Sequence, residues 1–149
     1  MTSSFEAQGP NQGLQPYIAP GTLEPTKALQ LSPLALAYIG DAVYELRVRS
    51  AFLLPPSRLQ TYHRQVVAQV CALGQTQQLQ RLLPHLSALE LEVVRKGRNA
   101  AGKGSRQAPS DDYRQATGLE ALMGYLYLTD PQRLDHLWDY LDLANSTVL

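Results

Sequence analysis

Two carboxylates stand where mostly apolar helical sequence makes a carboxylate expensive. Asp41 lies in Ala37-Tyr38-Ile39-Gly40-Asp41-Ala42-Val43-Tyr44-Glu45, with Gly40 directly before it. Glu120 lies in Thr117-Gly118-Leu119-Glu120-Ala121-Leu122-Met123-Gly124, between two glycines. An ionised carboxylate is costly to bury unless it is paired or bound to a metal. A glycine inside a helix costs roughly 1 kcal/mol relative to alanine, and is usually tolerated where a backbone or ligand must come close. Two such helices can cross so that their carboxylates converge. Converging carboxylates with few other donors suit a hard divalent cation such as Mg²⁺, which keeps several waters and takes one or two protein carboxylates. The alternative is that Asp41 pairs with Arg47, Arg49 or Arg114 while Glu120 caps or pairs locally. Glu45, one turn beyond Asp41, either assists a cation or pairs with Arg49 four residues on.

A second feature is electrostatic. Arg95, Lys96, Arg98, Lys103 and Arg106 fall within twelve residues that hold no acidic side chain. The formal net charge of the 149 residues is zero, so this +5 segment is set against a remainder of −5. Neutrality therefore does not exclude a polyanionic partner. Arg95, Lys96, Arg98, Asn99, Lys103 and Arg106, in a glycine-rich setting, are candidates to follow a phosphate backbone. The segment has no aromatic side chain, which favours a duplex over a stacked single strand. The other reading is a solvated connection whose charge only aids solubility.

Helices must position these groups. Residues 1–29 carry Pro10, Pro16, Pro20 and Pro25 with interspersed glycines, which predicts a flexible tail. Ser32 followed by Pro33 is a helix start, and the apolar spacing runs on to about residue 53. Ser57 with Gln60, and Ser87 with Glu90, read as capping boxes. The second helix runs to about residue 83, where Gly74 either breaks it or is tolerated. The third ends near Gly97. Residues 97–110 read as a loop, so the basic segment, 95–110 at its widest, is expected to be mainly loop. A helix over 110–128, a turn at Asp130-Pro131 and a last helix with Leu134, Leu137, Trp138 and Leu141 complete the chain. No segment alternates with period two, so the class is all-α, with five or six helices.

Composition excludes several chemistries. Cys71 is the single cysteine, which rules out an internal disulfide and a cysteine-built zinc site. His63, His85 and His136 have no ligand spacing, and there is neither a Gly-x-Ser-x-Gly elbow nor a phosphate-binding glycine loop. No apolar run reaches the roughly 18 residues of a membrane span, and no signal pattern opens the chain, so a cytoplasmic setting is expected.

The motifs carry a family likeness. The segment from Leu36 to Glu45 resembles the signature helix of the ribonuclease III catalytic domain, in the form of its short branch, Mini-ribonuclease III. Arg95-Lys96-Gly97-Arg98-Asn99-Ala100 resembles that branch's basic motif. Residues 113–128 resemble its second metal-ligand helix. The three occur in the family's order and span about residues 31–142.

This resemblance implies an all-helical, two-fold homodimer that cleaves double-stranded RNA with Mg²⁺. Asp41 falls on the family's catalytic Asp and Glu120 on the Glu that holds the metal. Larger members also have a Glu and an Asp where this chain has Ala37 and Thr117, which leaves fewer protein oxygens for one ion or two. They append a double-stranded-RNA-binding domain as well, for which too little sequence follows residue 128. The basic segment would then supply the grip, within a catalytic domain over residues 30–149. The implied role is maturation of the 23S ribosomal RNA precursor, with a ribosomal protein possible as the presenter of the substrate. Rival readings are a non-catalytic RNA-binding protein of the same fold and a helical protein-interaction module.

Overall fold

The computed structural model describes residues 16–103 and 106–143, and among these every regular element is helical. Seven α-helices follow in order: α1 Pro25–Ala28, α2 Pro33–Ala51, α3 Leu59–Val70, α4 Ala72–Leu82, α5 Ala88–Ala100, α6 Asp111–Thr129 and α7 Pro131–Trp138. A short 3₁₀ turn, Leu83–His85, joins α4 to α5. The all-α expectation holds, with seven α-helices among the described residues where five or six were expected.

The long helices begin where the sequence caps them. Ser32 accepts from the Ala35 N–H, with Pro33 in the first turn. Ser110 accepts from the Tyr113 N–H to open α6, and Asp130 accepts from the Arg133 N–H to open α7. Each cap satisfies a backbone donor that the helix itself cannot. The capping box at Ser87 and Glu90 forms in both directions. Glu90 is then also gripped by Arg133, through Nε at 3.0 Å and Nη2 at 2.9 Å, which ties the start of α5 to α7. The box expected at Ser57 and Gln60 does not form. The chain stays extended through Arg58, and α3 opens at Leu59 with no side-chain cap.

α6 is the central rod. Ala116, Leu119, Leu122, Met123, Leu126 and Leu128 point to different sides of it and all are buried. Only a helix surrounded by others can be apolar all round. α2, α4 and α5 pack around it, with α1 and α7 at one end. Tyr44 of α2 is fully buried, meets the Trp138 ring edge-on, and donates its hydroxyl to the Gln69 carbonyl at 3.0 Å.

Several boundaries differ from the sequence reading. Residues 16–29, expected within a tail, lie against α6. The N–H groups of Gly21 and Leu23 donate to the Tyr127 and Leu128 carbonyls, each at 3.0 Å, and Ala28 is fully buried. Residues 1–15 of that expected tail lie outside the described residues. The break in the second predicted helix falls at Cys71, which is extended and caps α4 by accepting from the Gly74 N–H. α7 stops at Trp138, and Leu141 belongs to an irregular segment held by buried glutamines. Gln78 donates to the Asp142 carbonyl and Gln69 to that of Leu143.

Candidate active site

Asp41 and Glu120 come together because their helices touch backbone to backbone. A Cβ added at Gly40 would lie 1.7 Å from the Glu120 carbonyl oxygen, and one at Gly124 would lie 2.0 Å from that of Leu36. Contacts that short leave room for hydrogen only, so each glycine is required by its neighbour's main chain. The crossing puts Asp41, one residue after Gly40, beside Glu120.

The electrostatics follow from that crossing. Glu120 is half-buried, and its carboxyl is pushed up from 4.5 to about 7, first by burial and then by the Asp41 charge, while a hydrogen bond from the Gln75 side chain acts the other way. Asp41 faces solvent more, and its carboxyl is raised by burial and by Glu45. Two like charges disfavour each other's ionised form, as paired carboxylates do in catalytic sites.

Among the described residues no base neutralises the pair. Arg47 is bonded to Asp135 and Arg49 to Glu45 at 2.7 Å, so neither serves Asp41. Among the described residues no ion pair includes Asp41 or Glu120. Glu45 is thus engaged with its own helix. Among the described residues no group of three or more His, Cys, Asp or Glu converges. A hydrated divalent cation fits this donor set, because it needs only one or two carboxylates and removes their mutual repulsion.

The two departures noted in the sequence are both packed away. Ala37 is buried, and the Thr117 hydroxyl donates to the Tyr113 carbonyl at 2.9 Å.

Sequence reasoning did not single out Gln75, which is 1% exposed on α4 and whose Oε1 has no hydrogen-bond partner among the described residues. A buried acceptor left unmet costs about 1–3 kcal/mol. The available signal is spacing: Gln75 heads the row completed by Leu79 and Leu82, where an apolar residue is the default.

The basic segment is more helical than expected. α5 runs on to Ala100, so Arg95, Lys96, Arg98 and Asn99 sit on its last turns, and Lys103 and Arg106 lie in the connection to α6. Gly97 does not end the helix, because it faces α6: its Cβ would meet that of Ala121 at 2.8 Å. Arg95 is bonded to Glu92 on its own helix. Arg98 and Asn99 instead line an open cavity of about 470 Å³ with Ala101, Asp111 and Arg114. The structure thus brings Arg114 of α6 to the basic group, although the sequence offered it only as a partner for Asp41.

Comparison with known proteins identifies the family. The Ribonuclease III domain model matches residues 34–131. A Mini-ribonuclease 3 of a Synechococcus species is 55% identical over 122 residues, covering 82% of this chain and 88% of that protein. One from a Synechocystis species is 54% identical, covering 78% and 81%. A crystal structure of a Fusobacterium nucleatum protein superposes with a TM-score of 0.64 at 26% identity, covering 74% of this chain and 88% of that one. A match that runs from α2 through α6, with Asp41 and Glu120 inside it, leaves one assignment: the chain belongs to the ribonuclease III family of endoribonucleases, in its Mini-ribonuclease III branch.

Proposed function

We propose that this chain cleaves double-stranded RNA by hydrolysis, with Asp41 and Glu120 holding Mg²⁺. The observation that carries the reading is the meeting of these two carboxylates at a backbone-tight helix crossing, with no ion pair to either among the described residues. Mg²⁺, when bound, supplies a Lewis acid beside the phosphate and makes water nucleophilic near neutral pH. Water attacks phosphorus in line and the P–O3′ bond breaks, which leaves a 5′ phosphate and a 3′ hydroxyl. Arg98, Asn99, Lys96, Lys103 and Arg106 hold the flanking phosphates, and Arg114 joins them from α6. Arg95 serves this less directly, since Glu92 already holds it. Maturation of the 23S ribosomal RNA precursor is the role that fits the family, with a ribosomal protein as a possible presenter and the cytoplasm as the setting. Among the described residues no helix is long and apolar enough to cross a membrane.

The test is incubation of duplex RNA with the protein and Mg²⁺, with mapped termini. Cleavage to 5′-phosphate products supports the reading. Duplex binding without cutting under any divalent ion would leave the non-catalytic reading instead. The basic group is tested by salt. Neutralising Lys96, Arg98 or Lys103 is expected to flatten the log–log dependence of RNA affinity on salt by about 1 each. An unchanged slope in all three would remove this surface from the interface.

A two-fold homodimer completes the proposal. What supports it is an apolar stripe left open along α2, where Leu34, Tyr38, Ala42 and Leu46 recur every four residues. Tyr38 is 86% exposed and Leu46 is 67% exposed. Side chains this large, in a row beside Asp41, are what a partner helix would cover. A closed dimer would present two sites to one duplex, each cutting one strand. Leu46→Glu is expected to give a monomer by analytical ultracentrifugation at concentrations where the parent sediments as a dimer. A monomeric parent would refute the dimer without touching the Asp41 and Glu120 assignment.

A further inference from the structure

The buried glutamines of α3 and α4 fall into two kinds. Gln69 and Gln78 close their hydrogen bonds inside the protein. Gln78 Nε2 donates to Gln69 Oε1 at 3.1 Å and to the Asp142 carbonyl, Gln69 Nε2 donates to the Leu143 carbonyl, and the Asp142 N–H donates to Gln78 Oε1. These amides fasten the C-terminal segment. Gln75 does something else. It is equally buried, its side chain comes near enough to Glu120 to lower the carboxyl's pKa, and among the described residues its Oε1 has no partner.

The fold fixes Gln75 from both sides. Its N–H donates to the Cys71 carbonyl at 3.0 Å in the first turn of α4. Its neighbour Gly74 is pressed onto the end of α3, where a Cβ would lie 2.2 Å from the Ala68 carbonyl oxygen. Packing alone does not ask for a glutamine here, because leucine or methionine would fill similar space with no unmet acceptor. An unsatisfied buried polar group in a native protein calls for an explanation, and an absent ion or water is one of the few available.

We infer that Gln75 is a positioning residue of the metal site: its amide nitrogen steers the Glu120 carboxylate, and its unpartnered Oε1 accepts a hydrogen bond from a hydration water of the cation. The inference rests on the metal-dependent reading above. Mg²⁺ held by two carboxylates keeps several waters, and their hydrogens need acceptors. Ala37 and Thr117 supply none of the carboxylate oxygens that larger relatives have at those positions, so groups behind the ligands carry more of the ordering. Outer partners of this kind are typically worth about 10–100-fold in metal affinity or activity.

The experiment uses the full chain with Gln75→Leu, Gln75→Met and Glu120→Gln. Each is titrated calorimetrically with Mg²⁺ alone, melted without metal, and assayed on duplex RNA. Both Gln75 variants are expected to raise the Mg²⁺ Kd about tenfold and lower kcat. KM for RNA should be unchanged, and the metal-free Tm should be no lower than the parent's, because the unmet acceptor is gone. Parent-like Mg²⁺ affinity in either folded variant would overturn the proposal. So would a collapse of the metal-free Tm in both, which would make Gln75 a packing residue. Glu120→Gln separates the two levels. If it loses Mg²⁺ while the Gln75 variants keep it, only the role of Gln75 falls. If it too binds Mg²⁺ like the parent, the metal reading itself falls.

Discussion

Asp41→Asn is expected to reduce cleavage of duplex RNA by roughly three orders of magnitude, a loss typical of removing a key charge-stabilising group. The substitution keeps shape and volume and removes one of the two charges that would hold the cation. RNA affinity measured without divalent ions should be nearly unchanged, because the basic group lies elsewhere. Equal cleavage by the variant and the parent would take Asp41 out of the mechanism.

The same variant should leave a mark on titration. Asp41 is one of the causes that raise the Glu120 carboxyl to about 7, so its neutralisation should move Glu120 back toward the ordinary range. The sign for stability follows. The folded-state value lies above the ordinary 4.5, so the stability of the metal-free protein is fully present below about 4.5 and is lost as pH rises through about 7. Glu120→Gln removes that loss. It should match the parent near pH 4 and exceed it at pH 8 by about 2 kcal/mol, after allowance for the solvent screening of a half-buried group. On the proposed function the pair holds Mg²⁺ in its ionised form, so the parent's Mg²⁺ affinity should rise with pH and level off above about 7. A flat Mg²⁺ affinity between pH 5.5 and 8 would sink this account of the site.

The pair of carboxylates was legible for a definite reason. An acidic residue beside a glycine, inside an apolar helix, breaks two local preferences at once, and such breaks gather at functional sites. The Ser87 capping box was legible because all its partners lie within four residues, although the same spacing at Ser57 and Gln60 gave no cap. What was not legible depends on partners far along the chain. The segment from Tyr17 to Leu29 has no period of its own and is ordered by carbonyls at the end of α6, such as those of Tyr127 and Leu128. Gly97 reads as a stop by composition, yet it is a contact glycine, of the same kind as Gly40 and Gly124. The spacing of Gln75 with Leu79 and Leu82 marks it as inward-facing, but that it meets Glu120 is legible only once α6 is placed beside it. Arg114 shows the same limit, because charge alone did not say whether it faced Asp41 or the cavity at the end of α5.

Gly40→Ala is expected to be the most destabilising single methyl in the chain, at roughly 3–5 kcal/mol. The new Cβ would meet the Glu120 carbonyl oxygen at 1.7 Å, its carbon at 2.6 Å and the Gly124 nitrogen at 2.7 Å. All three are backbone atoms of α6, so no rotamer change relieves the clash and the helices must separate. Ordinary overpacking meets flexible side chains and is absorbed in part. Here both partners are rigid rods, and the atom struck belongs to the residue that carries the second carboxylate. The site and the fold should therefore fail together. Tm should fall by about 10 °C or more, and Mg²⁺ affinity should fall in whatever fraction stays folded. Gly118→Ala is the control within the same helix. Its Cβ would approach the Val94 carbonyl at 2.9 Å and the Val94 side chain at 3.1 Å, so a small shift suffices and the loss should be clearly smaller. A Gly40→Ala protein that melts with the parent would mean that α2 and α6 do not cross this closely. The convergence of Asp41 and Glu120 would then lose its structural cause.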